Sequence, residues 1–87
     1  MFRITTVPGN GAAMTLKLEG ELAAEWVGEL EAACRAALAQ APHVELDLWD
    51  VTSVDRRGVR LLRGLSSERL KIARCPAVLR ELLDAGR

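Results

Sequence analysis

Two stretches of strict apolar–polar alternation constrain the fold of this 87-residue chain more than any other feature. They run from Met14 to Glu19 and from Val44 to Trp49, and in each the leucines fall on one side. Such alternation predicts a β-strand with one buried face. Parallel strands that are covered by helices on both faces are instead apolar throughout. The sequence therefore predicts a sheet with its helices packed mainly on one side.

Helical spacing of apolar residues separates and follows these strands. Residues from Leu22 to Ala39 repeat at intervals of three and four, which predicts a first helix. A second helix is predicted from Arg56 to Leu65, with Asp55 as its N-cap. A third is predicted from Pro76 to Leu83, with Gly86 as its C-terminal signal. The sequence thus predicts three helices.

Two shorter segments complete the predicted sheet. Phe2 to Val7 is rich in β-branched residues, and the turn residues Pro8 to Gly11 join it to the next strand as an antiparallel hairpin. Gly20 is expected to end that second strand, and Asp50 to Asp55 is expected to be a loop. A last strand is predicted from Arg69 to Ala73.

The resulting order, β-β-α-β-α-β-α, predicts an α/β domain with a four-stranded sheet. A chain of 87 residues accommodates one domain, here residues 1–87. The two strand–helix–strand crossovers imply parallel pairing and right-handed connections. On this arrangement six residues are expected in the core: Trp26, Leu30, Leu46, Leu48, Leu62 and Ile72. The opposite sheet face, with Lys17, Glu45, Asp47, Trp49 and Lys71, is expected to be solvated or used for docking.

Charge is balanced overall but segregated along the chain. Twelve basic and twelve acidic side chains cancel, which disfavours attraction to nucleic acid or to an anionic membrane. Residues 15–50 carry eight acidic and two basic side chains, whereas residues 51–87 carry nine basic and four acidic ones. Such segregation is typical of an interaction surface, but a folded domain can also pair its two halves internally.

Several classes of protein are disfavoured by the composition. No apolar stretch approaches the length that spans a bilayer, and residues 1–6 lack the order of a signal peptide, so a cytoplasmic protein is expected. Cys34 and Cys75 provide no metal-ligand spacing, and His43 is the single histidine. Neither a cofactor motif nor a catalytic set of nucleophile and base is present, so neither a cofactor nor an enzyme is expected.

Four segments in the correct order resemble a STAS domain, a family named for sulfate transporters and bacterial anti-sigma-factor antagonists. They are residues 16–22, 44–48, 51–62 and 75–83, which together extend over nearly the whole chain. The resemblance implies a small, non-enzymatic regulatory module.

The family's switch site is altered in this sequence. In the antagonist branch an Asp-Ser-Ser/Thr-Gly loop follows the third strand, and an anti-sigma factor kinase phosphorylates its second hydroxyl residue. The matching residues here are Asp55, Arg56, Arg57 and Gly58, so an arginine occupies the phosphoacceptor position. The resemblance therefore implies a module that is not phosphorylated at position 57. Whether the nearby hydroxyls at positions 52 and 53 take that role is left open.

An arginine stripe on the second helix is the candidate docking surface. Arg56, Arg60 and Arg63 are spaced so that they share one helix face. Trp49 points outward by strand parity, although it could also be covered by a neighbouring loop. The alternative for the arginines is an ordinary solvated face. The candidate partner-binding residues are Trp49, Asp55, Arg56, Arg57, Arg60 and Arg63.

The expected partner is a cytoplasmic anti-sigma factor or a related serine kinase of histidine-kinase-like fold. One alternative is a scaffold subunit in a larger bacterial assembly, such as the STAS partner of a lipid-transport ATPase. Another is binding of an anionic ligand or nucleic acid by the arginine stripe. Zero net charge and an aromatic content of 3% disfavour nucleic acid.

Overall fold

The computed structural model describes residues 1–8 and 13–85. Its seven elements follow the predicted order and are β1 (Phe2–Pro8), β2 (Ala13–Leu22), α1 (Ala24–Gln40), β3 (His43–Val54), α2 (Arg56–Leu65), β4 (Leu70–Ala73) and α3 (Ala77–Asp84). Residues 9–11 of the predicted turn and the helix stop expected at Gly86 lie outside the described residues.

The four strands lie side by side in the order in which they occur in the chain. β1 and β2 are antiparallel, whereas β2 with β3 and β3 with β4 are parallel. The helices lie on one side of this sheet, where α1 contacts α2 and α2 contacts α3. The predicted four-stranded mixed sheet with helices mainly on one face is confirmed.

The core lies between this sheet and the helices. Four of the six predicted core residues are buried, and the other two are partly buried against the same cluster. The buried four are Leu30, Leu46, Leu48 and Leu62, and the other two are Trp26 and Ile72. The ring of Phe2 adds an aromatic contact, with its centroid 6.3 Å from that of Trp26.

Gly20 does not end the second strand, contrary to the prediction from the sequence. β2 continues to Leu22, which belongs to this strand and not to the first helix and is only 1% exposed. Gly20 permits this because it adopts a φ of 96°, and a Cβ there would lie 2.1 Å from the carbonyl oxygen of Met1. The glycine is therefore a strand irregularity with a close backbone approach, and α1 begins later than predicted.

The prediction of a loop from Asp50 to Asp55 is also wrong, since β3 extends to Val54. The residues after Trp49 pair in parallel with the extension of β2, as in the pairs Gly20 with Val51 and Leu22 with Val54. The last residues of β2 and those of β3 therefore stabilise each other as strands by pairing. Tertiary pairing therefore overrides the local turn propensity.

Asp47 is buried, with 8% of its surface exposed, although strand parity places it on the face that was expected to be solvated. Its carboxylate accepts a hydrogen bond from the backbone N–H of Trp49 at 3.0 Å and lies 3.3 Å from Nη1 of Arg74. Arg74 reaches it from a backbone φ of 46°, an unusual conformation for a residue with a side chain. The outer face of the sheet thus carries an ordered ion pair between Asp47 and Arg74.

Candidate functional site

Asp55 caps α2, as predicted, and also holds the start of α1. Its Oδ1 accepts a hydrogen bond from the Gly58 N–H at 2.8 Å, and its Oδ2 accepts one from the Ala24 N–H at 2.7 Å. The hydrogen bond from Gly58, with a smaller contribution from that of Ala24, lowers the pKa of the Asp55 carboxyl. One carboxylate therefore fixes the N-termini of two helices.

Gly58 brings the first turn of α2 into close contact with the ends of β2 and β3. A Cβ at this position would lie 2.7 Å from Cγ1 of Val54 and 3.0 Å from the carbonyl oxygen of Leu22. No side chain larger than hydrogen fits there without a shift of its neighbours. The close approach, together with the Asp55 cap, holds the beginning of α2 in place.

Three arginines extend from this fixed helix into solvent. Arg56, Arg57 and Arg60 are all exposed, and none of them forms an ion pair within residues 1–8 and 13–85. Arg60 lies between two grooves. Arg56 lines the groove towards α3, and Arg57 lines the one towards α1. The structure thus brings these three predicted residues together as one basic surface.

Arg63 contacts the chain itself, although it lies on the same helix. Its Nε donates a hydrogen bond to the Leu83 carbonyl at 2.8 Å, and its Nη2 donates to the carbonyls of Leu82, at 2.8 Å, and Ala85. These carbonyls belong to the C-terminal end of α3, which has no cation in its own last turn. Arg63 is therefore a tether between α2 and α3.

Trp49 forms a cluster separate from the α2 arginines. Its side chain is 55% exposed, which answers the question of whether a loop covers it. The guanidinium carbon of Arg74 lies 5.5 Å from the centroid of its ring, a cation–π geometry. Because Arg74 also pairs with Asp47, these three residues belong together. The sequence alone predicts Trp49 on the same surface as the arginines, whereas its contact in the structure is with Arg74.

An apolar surface on α3 was not predicted from the sequence. Val78 is 74% exposed and Leu82 is 46% exposed, whereas Leu79 and Leu83 face the core. Leu82 also lines the groove that contains Arg56. The sequence does contain a sign of this surface. Two apolar pairs, Val78-Leu79 and Leu82-Leu83, lie four residues apart, and a helix with one buried face needs only one apolar residue of each pair.

The remaining reactive side chains do not converge on a site. Thr52 and Ser53 are exposed near the end of β3. Burial raises the pKa of the Cys34 thiol to about 11 and also raises the pKa of Cys75. Among the described residues no group of three potential metal ligands occurs. Within the same ranges, none of the helices is long and apolar enough to cross a membrane.

The family model described as "Mlab, STAS domain" matches residues 5–87. No match emerged from comparison with curated protein sequences.

Solved structures with the same fold include several antagonists. The anti-sigma factor antagonist SpoIIAA in its unphosphorylated form is 18% identical, with a TM-score of 0.73 over 97% of this chain and 84% of that one. An anti-sigma factor antagonist from Mycobacterium paratuberculosis is 17% identical, with a TM-score of 0.77 over 93% of this chain and 74% of its own. An antisigma-factor antagonist STAS domain from Rhodobacter sphaeroides is 23% identical, with a TM-score of 0.61 over 83% and 85%.

At these identities the structural similarity establishes the fold. The family match is independent of it and extends over most of the sequence, including residues 55–58 at the start of α2. The chain therefore belongs to the STAS domain family.

Proposed function

We propose that this chain is a regulatory protein-interaction module of the anti-sigma-factor-antagonist type, which docks a partner protein through the start of α2. The observation that carries the proposal is the basic surface of Arg56, Arg57 and Arg60 on a firmly capped helix. Cations in the first turn of a helix oppose its dipole. The presence of Arg56 and Arg57 in that turn is not explained by stability, whereas carboxylates on a partner would pair with them.

The partner in this proposal is a cytoplasmic anti-sigma factor or a serine kinase of histidine-kinase-like fold. The similarity to solved anti-sigma factor antagonists supports a protein partner. SpoIIAA has been solved in unphosphorylated and phosphorylated forms. In this chain Arg57 has no hydroxyl and a charge opposite to that of phosphate, so docking here is constitutive or controlled by another signal.

A second candidate is a scaffold subunit of a larger bacterial assembly, such as a lipid-transport ATPase. The arginine at position 57 favours this scaffold role, because a permanently bound subunit needs no phosphorylation switch there. Both candidates use the α2 surface, and they differ in the partner. Binding of nucleic acid or an anionic ligand by these arginines is disfavoured by the zero net charge of the chain.

Site-specific photo-crosslinking in cells separates these candidates. A photoreactive residue at position 60 is compared with one at Ala36, which lies on the exposed face of α1. Cross-linking at position 60 alone to an anti-sigma factor or serine kinase supports the first candidate, and cross-linking to an ATPase subunit supports the second.

The captured partner is then titrated with wild type and with Arg60→Glu at low and at high salt. Charge reversal at a docking contact should weaken binding by several kcal/mol, and added salt should weaken the wild-type complex. Thermal unfolding of both proteins serves as the folding control. Equal affinities of the two proteins at both salt concentrations contradict the proposed function.

A further inference from the structure

The exposed apolar residues of α3 lack the cover that such residues receive in a folded domain. Val78 and Leu82 are four residues apart and lie on the same face of the helix. They are 74% and 46% exposed, while Leu79 and Leu83 are 6% and 4% exposed. α3 therefore has one apolar face towards the core and a second towards solvent, where polar side chains are the norm.

These residues border a continuous groove between α2 and α3. A depression of about 120 Å³ lies beside the helix, with Val54 and Pro76 in its lining together with Val78 and Leu82. Val54 and Leu82 also line the adjoining groove, which continues along α2. The two depressions therefore adjoin and form one surface, called here the α2–α3 groove.

The other end of the α2–α3 groove is basic. Arg56 and Arg60 line it and are exposed. The carboxylate that also lines it, that of Asp55, is already engaged by two backbone N–H groups. The groove thus presents apolar side chains at one end and available guanidinium groups at the other.

The two walls of the groove are held together by Arg63. Its guanidinium binds carbonyls at the end of α3 while its backbone belongs to α2. α2 is in turn held by the Asp55 cap and by the close approach at Gly58. A surface that is ordered before binding loses less conformational entropy on association.

We infer that the α2–α3 groove binds an acidic amphipathic helix of a partner protein. Apolar residues at positions i and i+4 of that helix contact Val78 and Leu82, and its flanking carboxylates pair with Arg56 and Arg60. Charge complementarity selects an acidic occupant, and the four-residue spacing on α3 suits a helix laid alongside it. This inference rests on the proposed function and names the chemistry of the partner segment.

The probe is a synthetic helical peptide with leucines at i, i+4 and i+7 and glutamates at the flanking positions. A matched peptide carries lysine in place of each glutamate. Both are titrated into the isotope-labelled 87-residue chain and followed by NMR. The acidic peptide should shift the methyl signals of Val78 and Leu82 and the amide signal of Arg56. The basic peptide should bind at least about tenfold more weakly.

Variants of the chain locate the binding surface. The double variant Val78→Ser/Leu82→Ser and the single variant Arg56→Glu should each reduce affinity for the acidic peptide about tenfold or more. Arg3→Glu is the matched control, because Arg3 is exposed on β1 at the edge of the sheet and lies in neither part of the groove lining. It should change the affinity by less than about threefold. All four substituted residues are exposed, and thermal unfolding verifies the fold of each variant.

Any one of the following results overturns the inference. The first is absence of signal shifts up to about 1 mM acidic peptide, which corresponds to a negligible affinity. The second is equal binding of both peptides, or shifts centred on Val27 and Leu61 in the α1–α2 groove. The third is a concentration-dependent dimer in sedimentation that Val78→Ser/Leu82→Ser abolishes, because the occupant would then be a second copy of the chain.

The inference and the proposed function fail in different experiments. If Arg60→Glu abolishes binding of the captured partner while Val78→Ser/Leu82→Ser leaves it unchanged, the inference is wrong and the proposed function stands. If the captured partner binds wild type and Arg60→Glu equally at both salt concentrations, the proposed function is wrong whatever the peptides do.

Discussion

Asp55 accepts a hydrogen bond from the backbone N–H of Ala24, 2.7 Å away and 31 residues earlier in the chain. α1 needs this contact, because its own N-cap residue is Ala23, which has no side chain that can accept a hydrogen bond. The backbone N–H of Asp55 also donates to the Leu22 carbonyl at 3.0 Å. The N-terminus of α2 is therefore joined directly to the start of the first helix.

The substitution Asp55→Asn tests the hydrogen bond between Asp55 and Ala24. The amide oxygen of asparagine can still cap α2, but its amide nitrogen cannot accept the Ala24 N–H. We expect a lower urea midpoint than that of wild type. The addition of Ala23→Ser, which gives α1 its own cap, should recover part of the loss in the variant and add less to wild type. Equal gains in both backgrounds would show that the two positions are independent.

The same substitution removes a pH dependence. Hydrogen bonds to the ionised form lower the pKa of the Asp55 carboxyl in the folded state. The resulting stabilisation is present above the unfolded-state pKa and is lost as the pH falls through the folded-state pKa. The advantage of wild type over Asp55→Asn should therefore shrink below about pH 4. Urea unfolding of both proteins across this range measures it, and a constant difference would contradict the cause assigned to the pKa shift.

Two glycines of α2 should respond in opposite ways to alanine. Gly58→Ala places a Cβ 2.7 Å from a Val54 methyl and should destabilise the fold by about 1–3 kcal/mol. Gly64→Ala meets nothing within 4 Å and should stabilise the helix by about 0.5–1 kcal/mol. Chemical denaturation measures both. Stabilisation by Gly58→Ala would show that α2 does not approach β2 as closely as described.

Leu46 tests the position of the core. It is fully buried in β3, between β2 and β4, so Leu46→Ala should cost about 2–5 kcal/mol of unfolding free energy. Val78→Ala removes a similar amount of apolar side chain at an exposed position and should change stability by less than about 0.5 kcal/mol. An unchanged denaturation midpoint for Leu46→Ala would remove this residue from the core.

Arg63 should act on α3 and not on a partner. Arg63→Met keeps much of the aliphatic packing but removes the donors to the Leu82, Leu83 and Ala85 carbonyls, and we expect a loss of about 1–3 kcal/mol. Hydrogen exchange should accelerate in α3 more than in α1. Arg60→Met is the control, since Arg60 forms no ion pair in the described residues, and it should leave this exchange unchanged.

Position 57 should remain unmodified by an anti-sigma factor kinase and ATP, because arginine has no hydroxyl. Intact-protein mass spectrometry before and after incubation measures this, and Arg57→Ser serves as the variant with a restored phosphoacceptor. Stoichiometric phosphate on Thr52 or Ser53 of wild type, both exposed, would show that a switch is present at another position.

The elements of this fold that could be predicted from the sequence are those whose signals are local. Alternation identified the strands containing Leu16 and Leu46, and the Asp55 cap located the start of α2. Leu22 was assigned to a helix because a leucine fits either pattern. Leu22 becomes part of a strand only because it pairs in parallel with Val54, which is distant from it in the sequence.

The candidate site was predicted less completely for the same reason. The spacing of Arg56, Arg60 and Arg63 correctly places them on one helix, but it does not reveal that the end of α3 lies within reach of Arg63. Arg69, expected in the last strand, similarly donates to the Leu38, Ala41 and Pro42 carbonyls at the end of α1. Such contacts depend on which elements become neighbours.

The sequential strand order has a consequence for how the chain folds during synthesis. Because each strand pairs only with strands adjacent in the chain, the sheet can extend at one edge as residues leave the ribosome, without a long segment awaiting its partner. The Asp55–Ala24 hydrogen bond is an exception, because the start of α1 here depends on a residue that is synthesised later. The first turn of α1 is therefore completed only after the third strand and Asp55, the residue that follows it, have been synthesised. The maturation of the first helix thus depends on the synthesis of the N-cap of the second.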